Sequence, residues 1–271
     1  MSPKFRVVLY LLIGGGLPAI IAASGAGHFA WQWLAGMVLA GSFVPVALFG
    51  PQSARGQFGV ILPVLFTVTV LCTWSEAMIF VPGVILNPAG ALIGSAVLYL
   101  VVAAVLATLA WVLKLTQPSG STVEHRPVGT TIVMVAICGI AYVIYYLIFG
   151  SITYQFFTKG YYPEATQIVA RLGLWFWAIQ IGHGVLMTLG VLPVIYSLRM
   201  SRWQSAIVVG LLIWVAGGLA PLIPPNNFMG TTQRMIHIVE ILTQNASLGI
   251  TAVLLLRPKL TMVAAVRQEA A

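Results

Sequence analysis

The chain has 271 residues, 60% of them apolar and only 7% charged, and a mean hydropathy of +1.00, which excludes one or two soluble globular domains. Thirteen Lys and Arg stand against five acids, all of them Glu, so the net charge of +8 reflects a shortage of acid and makes each carboxylate informative. The bases are scattered singly over short loops, which excludes a nucleic-acid-binding face.

A helix that spans a bilayer needs about 20 mainly apolar residues, because the hydrocarbon core is roughly 30 Å thick and each residue adds about 1.5 Å. Eight windows meet this: Val7 to Ala23, Phe29 to Gly50, Gln57 to Pro82, Ala89 to Leu113, Val128 to Ile152, Gly173 to Leu198, Ser205 to Ile223 and Met235 to Leu256. Continuous apolar runs exclude a transmembrane barrel, whose strands alternate. Backbone amides must be paired in lipid, so the expected fold is all-α: one integral domain, a polytopic bundle of about eight transmembrane helices.

The first window follows Lys4 and Arg6 and ends in Ala22-Ala23-Ser24-Gly25-Ala26, the outline of a secretory signal. It is read as a retained helix, because its apolar run is long enough to span and the charge count below works best with it. Trp31 and Trp33 in the second window, like Trp175 and Trp177 in the sixth, read as interfacial anchors or packing residues. The third window carries Thr69, Cys72, Thr73 and Glu76 within an arc of about 100°. The fourth is almost wholly apolar and reads as peripheral, with Gly90-x-x-x-Gly94 offering a place for close helix approach.

The inner loop, Lys114 to Pro127, separates two four-helix halves, 1–113 and 128–271. Beyond it, the fifth window aligns Thr131, Cys138, Tyr142 and Tyr145, with Tyr146 beside them. The aromatic stretch Tyr154-Gln155-Phe156-Phe157, continuing to Tyr161-Tyr162, is expected along the membrane surface. Gln180 and His183 share a face of the sixth window, and the seventh is nearly featureless. The eighth is the most organised: His237, Glu240, Gln244, Ser247 and Thr251 lie within about 80° of arc, flanked by Arg234 and Asn245. Polarity therefore places the third, fifth, sixth and eighth helices around an interior and the other four outside.

Alternating the loops puts Lys4, Arg6, Arg55, Lys114, Arg126, Arg199, Arg202, Arg257, Lys259 and Arg267 on one side and Lys159, Arg171 and Arg234 on the other. By the positive-inside rule both termini are cytoplasmic, in a bacterial inner membrane. Glu76 and Glu240 then lie at similar depth in the outer half, Glu240 about 9 Å inward of Arg234. His237 is one turn above Glu240, Arg171 stands at the outer mouth, and His183 reads as near mid-membrane. Glu124, Glu164 and Glu269 fall in loops or the tail.

Ionisable groups inside a membrane cost a few kcal/mol each, so they normally face the interior, pair, and mark a pathway or a site. The expected site comprises Glu76, Glu240, His237, Arg234, Arg171 and His183, in a cavity lined by Cys72, Thr73, Tyr142, Tyr145, Gln180, Gln244 and Asn245. Its rival is a structural network joining either carboxylate to Arg171 or Arg234, with Gln244, Asn245, Ser247 and Thr251 serving interhelical hydrogen bonds. Glu76, His237 and Glu240 would also supply a metal's ligands, but two ligands on one helix are weak evidence, and no cofactor is evident. A bis-His haem on His183 and His237 would be badly staggered in depth.

Cys72 and Cys138 read as buried thiols with no disulfide or zinc spacing. Ser75 and Cys72 stand in no Gly-x-Ser-x-Gly context and beside no His in the chain, which argues against nucleophilic hydrolysis. There is no phosphate loop, no Asp-rich diphosphate motif and no buried mid-helix lysine, so coupling to ATP would need a partner protein.

Pro225-Asn226-Asn227-Phe228-Met229, continuing through Arg234-x-x-His237-x-x-Glu240 to Asn245 and Gly249, resembles the C-terminal signature of a group of uncharacterised bacterial multi-pass proteins. The resemblance covers about the last 75 residues; it implies that these side chains act as a unit and implies no chemistry. The reading carried forward is an inner-membrane protein whose outward-facing polar cavity binds or translocates a small solute or ion, with proton coupling through the buried acids. The alternatives are a membrane-embedded metal-binding protein or enzyme using the Glu/His/Glu cluster, and an accessory subunit with a structural cluster. The partners expected are the lipid bilayer, the solute or ion, and a protein partner or second copy, with no nucleic acid.

Overall fold

The computed structural model of the chain describes residues 1–23, 28–80, 87–117, 121–123, 125–161, 165–226, 229–258 and 261–262. Gly25, Pro82, Glu124, Tyr162, Glu164, Asn227, Phe228, Lys259, Arg267 and Glu269, all used in reading the sequence, lie outside the described residues. The described chain forms long helical rods: α1 (Pro3–Ala23), α2 (Phe29–Phe49), α3 (Ala54–Phe80), α4 (Pro88–Val112), α5 (Val128–Thr158), α6 (Leu174–Ser197), α7 (Arg202–Leu222) and α8 (Thr231–Leu256). Seven of them, α2 to α8, are long and apolar enough to cross a membrane, which is the architecture of a multi-pass membrane protein. A short helix, Ala165–Leu172, precedes α6, and two-residue strands pair Ser121–Thr122 with Thr261–Met262.

Local chemistry sets the rod ends. Asn87 accepts from the Gly90 amide at 3.0 Å ahead of Pro88, and Ser201 caps α7 reciprocally with Gln204. Within α3, Pro63 removes one amide donor, and the following Leu65–Cys72 stretch is π-helical. Further π-helical stretches occupy Tyr146–Gly150 and Tyr154–Thr158 in α5 and Val215–Leu219 in α7. The fifth rod therefore runs past its expected end at Ile152, and Tyr154 to Phe157 are helical rather than a surface loop; Tyr154 meets Thr166 hydroxyl to hydroxyl at 2.9 Å.

At the centre, α6 packs against α3, α5 and α8, and α5 packs against α8, so the four helices with polar stripes do adjoin one another. Small residues set the spacing. A Cβ on Gly184 would come within 2.9 Å of the Gly139 Cα, closing α6 onto α5, and one on Gly249 would come within 2.6 Å of the Gly210 Cα, closing α8 onto α7. The Gly90-x-x-x-Gly94 expectation fails: Gly94 has nothing within 4 Å, and Gly90 faces only its own cap, Asn87.

The division into lining and peripheral helices needs correction. Over its most apolar window α7, expected outside, is the most enclosed of the seven at 56%, whereas α5, expected to line the interior, is buried no more than α4 at 22%. The reason is physical: lipid is as apolar as leucine, so enclosure follows small residues that let backbones approach, such as Ser205, Ala206, Gly210 and Gly218, and not polarity.

One end of the bundle is tied by arginines that donate to helix-terminal carbonyls. Arg199 reaches Phe49 O and Gly50 O, Arg202 reaches Leu254 O, Arg126 reaches Leu256 O, and Arg6 reaches Lys114 O. Arg257, only 1% exposed, donates to Ser205 Oγ, Leu198 O and Met200 O, and burial pulls its pKa down to about 10. The last carbonyls of a helix have no internal partner and carry its negative pole, so a guanidinium there satisfies both needs.

Candidate functional site: two glutamate clasps

Glu76 lies on α3, four residues before its described end, in ordinary α-helix just past the π-helical stretch. From α6, the Gln180 amide donates to Glu76 Oε1 at 2.9 Å and His183 Nδ1 stands 3.0 Å from the same oxygen. His183 Nδ1 also lies 3.2 Å from Gln180 Oε1. A carboxylate oxygen and an amide oxygen both face Nδ1, which is the arrangement expected of a nitrogen that carries a hydrogen. Ser75 Oγ sits 2.6 Å from the other ring nitrogen, Nε2, and within reach of Leu71 O and Cys72 O at 2.8 and 2.9 Å.

A second cluster repeats the residue types on one helix. On α8, His237 Nδ1 lies 3.0 Å from Glu240 Oε2, and Gln244 donates to Glu240 Oε1 at 3.3 Å. Spacings of three and four place all three on one helical face. Each carboxylate is thus clasped by an imidazole and a glutamine amide, once between helices and once within a helix.

The face of α5 bearing Tyr142, Tyr146 and Gly150 lies between the clasps. On the α6 side, a Cβ on Gly184, next to His183, would stand 2.6 Å from Tyr142 Cβ. A Cβ on Gly150 would stand 3.4 Å from Gln244 Nε2 and 3.6 Å from Glu240 Oε1, so this glycine, in a π-helical stretch, is where α5 meets the α8 clasp. Aromatic rings gather at the near ends of α3 and α6: Phe176 stands edge-on to Phe80, Tyr146 and Trp177 with centroids 6.3, 5.8 and 5.0 Å away.

The remaining expected residues divide. Cys72 is buried with Sγ 4.0 Å from His183 O, Thr73 bonds Val68 O, and Tyr145 meets Thr251 at 2.7 Å, all close to the clasps or on their helices. Asn245 instead turns to α7, donating to Ile213 O at 3.4 Å. Arg234 is buried and donates to Leu222 O and Ile223 O at 3.1 Å, capping α7, while Arg171 is exposed at the end of its short helix. Among the described residues, the carboxylates contact histidines and form no ion pair with Arg171 or Arg234.

His183 lies nine residues, about 13 Å, from the N-terminal end of α6, level with Glu76. Glu76, His237 and Glu240 do not gather as a ligand set; among the described residues no three His, Cys, Asp or Glu side chains could hold a metal. Nor does the expected cavity between α3, α5, α6 and α8 coincide with either of two cavities found. One of about 310 Å³ is lined by Gly36, Leu98, Tyr99, Pro221 and Asn226, and one of about 530 Å³ by Gln52, Trp111 and Lys114.

Sequence reasoning placed Ser75 beside no histidine, because His183 is 108 residues away and only the α3–α6 contact brings it there. The roles of Gly150, Phe80 and Phe176 also went unread, since each depends on a neighbouring helix. Comparison of the chain with protein-family models, with curated proteins and with solved structures finds no match to any of them.

Proposed function

We propose that the chain is an integral protein of the bacterial cytoplasmic membrane, both termini inside, that binds or translocates a small solute or ion and exchanges protons at its two clasps. The observation that carries this reading is the pair of Glu–His contacts at 3.0 Å on membrane-crossing helices. A carboxylate beside an imidazole holds one exchangeable proton in either of two places, which is what coupling to a solute requires. The ten-to-three split of Lys and Arg supports the orientation. The Glu76 side chain, 31% exposed, gives the site an opening, and neither carboxylate is committed to an arginine.

The test uses proteoliposomes loaded with a pH-sensitive dye and challenged with a panel of alkali cations, divalent cations, small carboxylic acids and amines. The expected result is proton movement driven by one class of solute, reduced at least about tenfold in Glu76→Gln and Glu240→Gln proteins that fold normally, a loss of about 1.4 kcal/mol or more. Equal fluxes in wild type and both variants, or no flux with any solute, would remove this reading.

A further inference from the structure

At the α3–α6 clasp a hydroxyl, Ser75 Oγ, stands 2.6 Å from the histidine nitrogen opposite the carboxylate. We propose that Ser75, His183 and Glu76 form a membrane-embedded acyl-transfer centre that hydrolyses the carboxylic ester of a lipid-like substrate. The inference goes beyond the solute-binding reading and needs only α3 and α6.

The geometry is that of an activated nucleophile. Glu76 and Gln180 hold the hydrogen on Nδ1, so the Nε2 lone pair is aimed at the serine hydroxyl. At rest the Ser75 hydroxyl donates to Leu71 O or Cys72 O, which fixes its rotamer with the oxygen beside Nε2; its one hydrogen turns to Nε2 as attack begins. His183 is 4% exposed and held on both sides of the ring, whereas Ser75 and Glu76 are only half-buried, so the nucleophile is reachable and its base is fixed. The site lies within two membrane-crossing helices and beneath the Phe80 and Phe176 rings, which favours a substrate that partitions into lipid.

The chemistry balances without any further reagent than water. Ser75 Oγ bonds to the ester carbonyl carbon as its proton passes to His183 Nε2. The tetrahedral intermediate then expels the alcohol, which leaves with that proton, and the acyl group remains on Ser75. Water attacks the acyl-serine, giving its proton to Nε2; the carboxylic acid departs and the proton returns to Ser75. The developing oxyanion needs a donor. Trp74, next in the chain, has a buried indole N–H with no acceptor among the described residues.

The experiment treats the full chain in phosphatidylcholine vesicles with a long-chain alkyl fluorophosphonate and maps the adduct by tandem mass spectrometry. Wild type is expected to carry the adduct on Ser75; Ser75→Ala carries none, and Ser197→Ala, altered at the far end of α6, labels like wild type. His183→Gln slows labelling by about 10²- to 10⁴-fold. Glu76→Gln, altered at a positioning residue, lowers kcat for a medium-chain nitrophenyl ester while KM stays within about twofold, because it misdirects the imidazole without touching substrate. The wild-type result needs no variant to fold. Absence of the adduct at Ser75 under conditions that label a known lipid esterase in the same vesicles, or an unchanged rate in folded His183→Gln protein, would overturn the proposal. Either outcome leaves the proton-flux test of the solute reading untouched.

Discussion

The clasp between α3 and α6 and the clasp within α8 use the same three residue types, yet they do different mechanical work. Glu240, His237 and Gln244 share one helix, so their contacts survive any movement of α8 as a body. Glu76 has both partners on another helix, so its contacts exist only while α3 and α6 stay in register. The first arrangement is a local electrostatic unit; the second is also a tertiary joint. At the joint the opposing helix also supplies a hydroxyl, Ser75 Oγ, beside His183 Nε2.

The contrast can be broken most sharply by stability. Replacing His183 with Ala strips a 4%-exposed imidazole from Glu76, and the expected cost is about 3–5 kcal/mol, as for the loss of one partner of a buried pair. His237→Ala, at a pair with 24% and 15% side-chain exposure, is expected to cost about 1 kcal/mol or less. Unfolding midpoints in bicelles, read by tryptophan fluorescence, check both; equal costs would dissolve the distinction.

Next in size is Gly184→Leu, whose side chain meets Tyr142 Cβ and the Gly139 backbone within 3 Å and is expected to cost about 1–3 kcal/mol by overpacking. Smaller still is the coupling energy itself. A double-mutant cycle of Glu76→Gln with His183→Gln should exceed about 1 kcal/mol, and the Glu240→Gln, His237→Gln cycle should stay below about 0.5 kcal/mol. The smallest effect is expected at Gly94→Ala, on the open face of α4, where a change within about 0.5 kcal/mol follows from the absence of any neighbour within 4 Å.

The same contrast explains what the sequence made legible. The α8 clasp was readable because spacings of three and four on one helix are visible in the chain itself. Glu76, His183 and Gln180 were each read as polar residues inside a membrane, but their union was not, because it depends on which helices adjoin. Eight apolar windows were expected to span and seven of the rods, α2 to α8, are long and apolar enough to do so, while the order of enclosure was misjudged. Polarity marks where water or a partner is wanted, and it does not mark the glycine and alanine contacts that bury α7. The π-helical stretches were unreadable as well, since a uniform helical wheel carries no signal for a widened turn at Leu65–Cys72 or Tyr146–Gly150. Arg234 illustrates the opposite case: a cation six residues from Glu240 in the chain caps α7 instead.

The central claim is that Glu76 fixes the proton of a histidine on another helix and so presents a lone pair to Ser75. Nitrogen-15 NMR of histidine-labelled protein in bilayers, with His183 assigned by its substitution, reads this directly. The account predicts a hydrogen on His183 Nδ1 and a lone pair on Nε2, with that preference lost in Glu76→Gln. A proton on Nε2 in the wild type, or a His183 signal indifferent to Glu76→Gln, would contradict it.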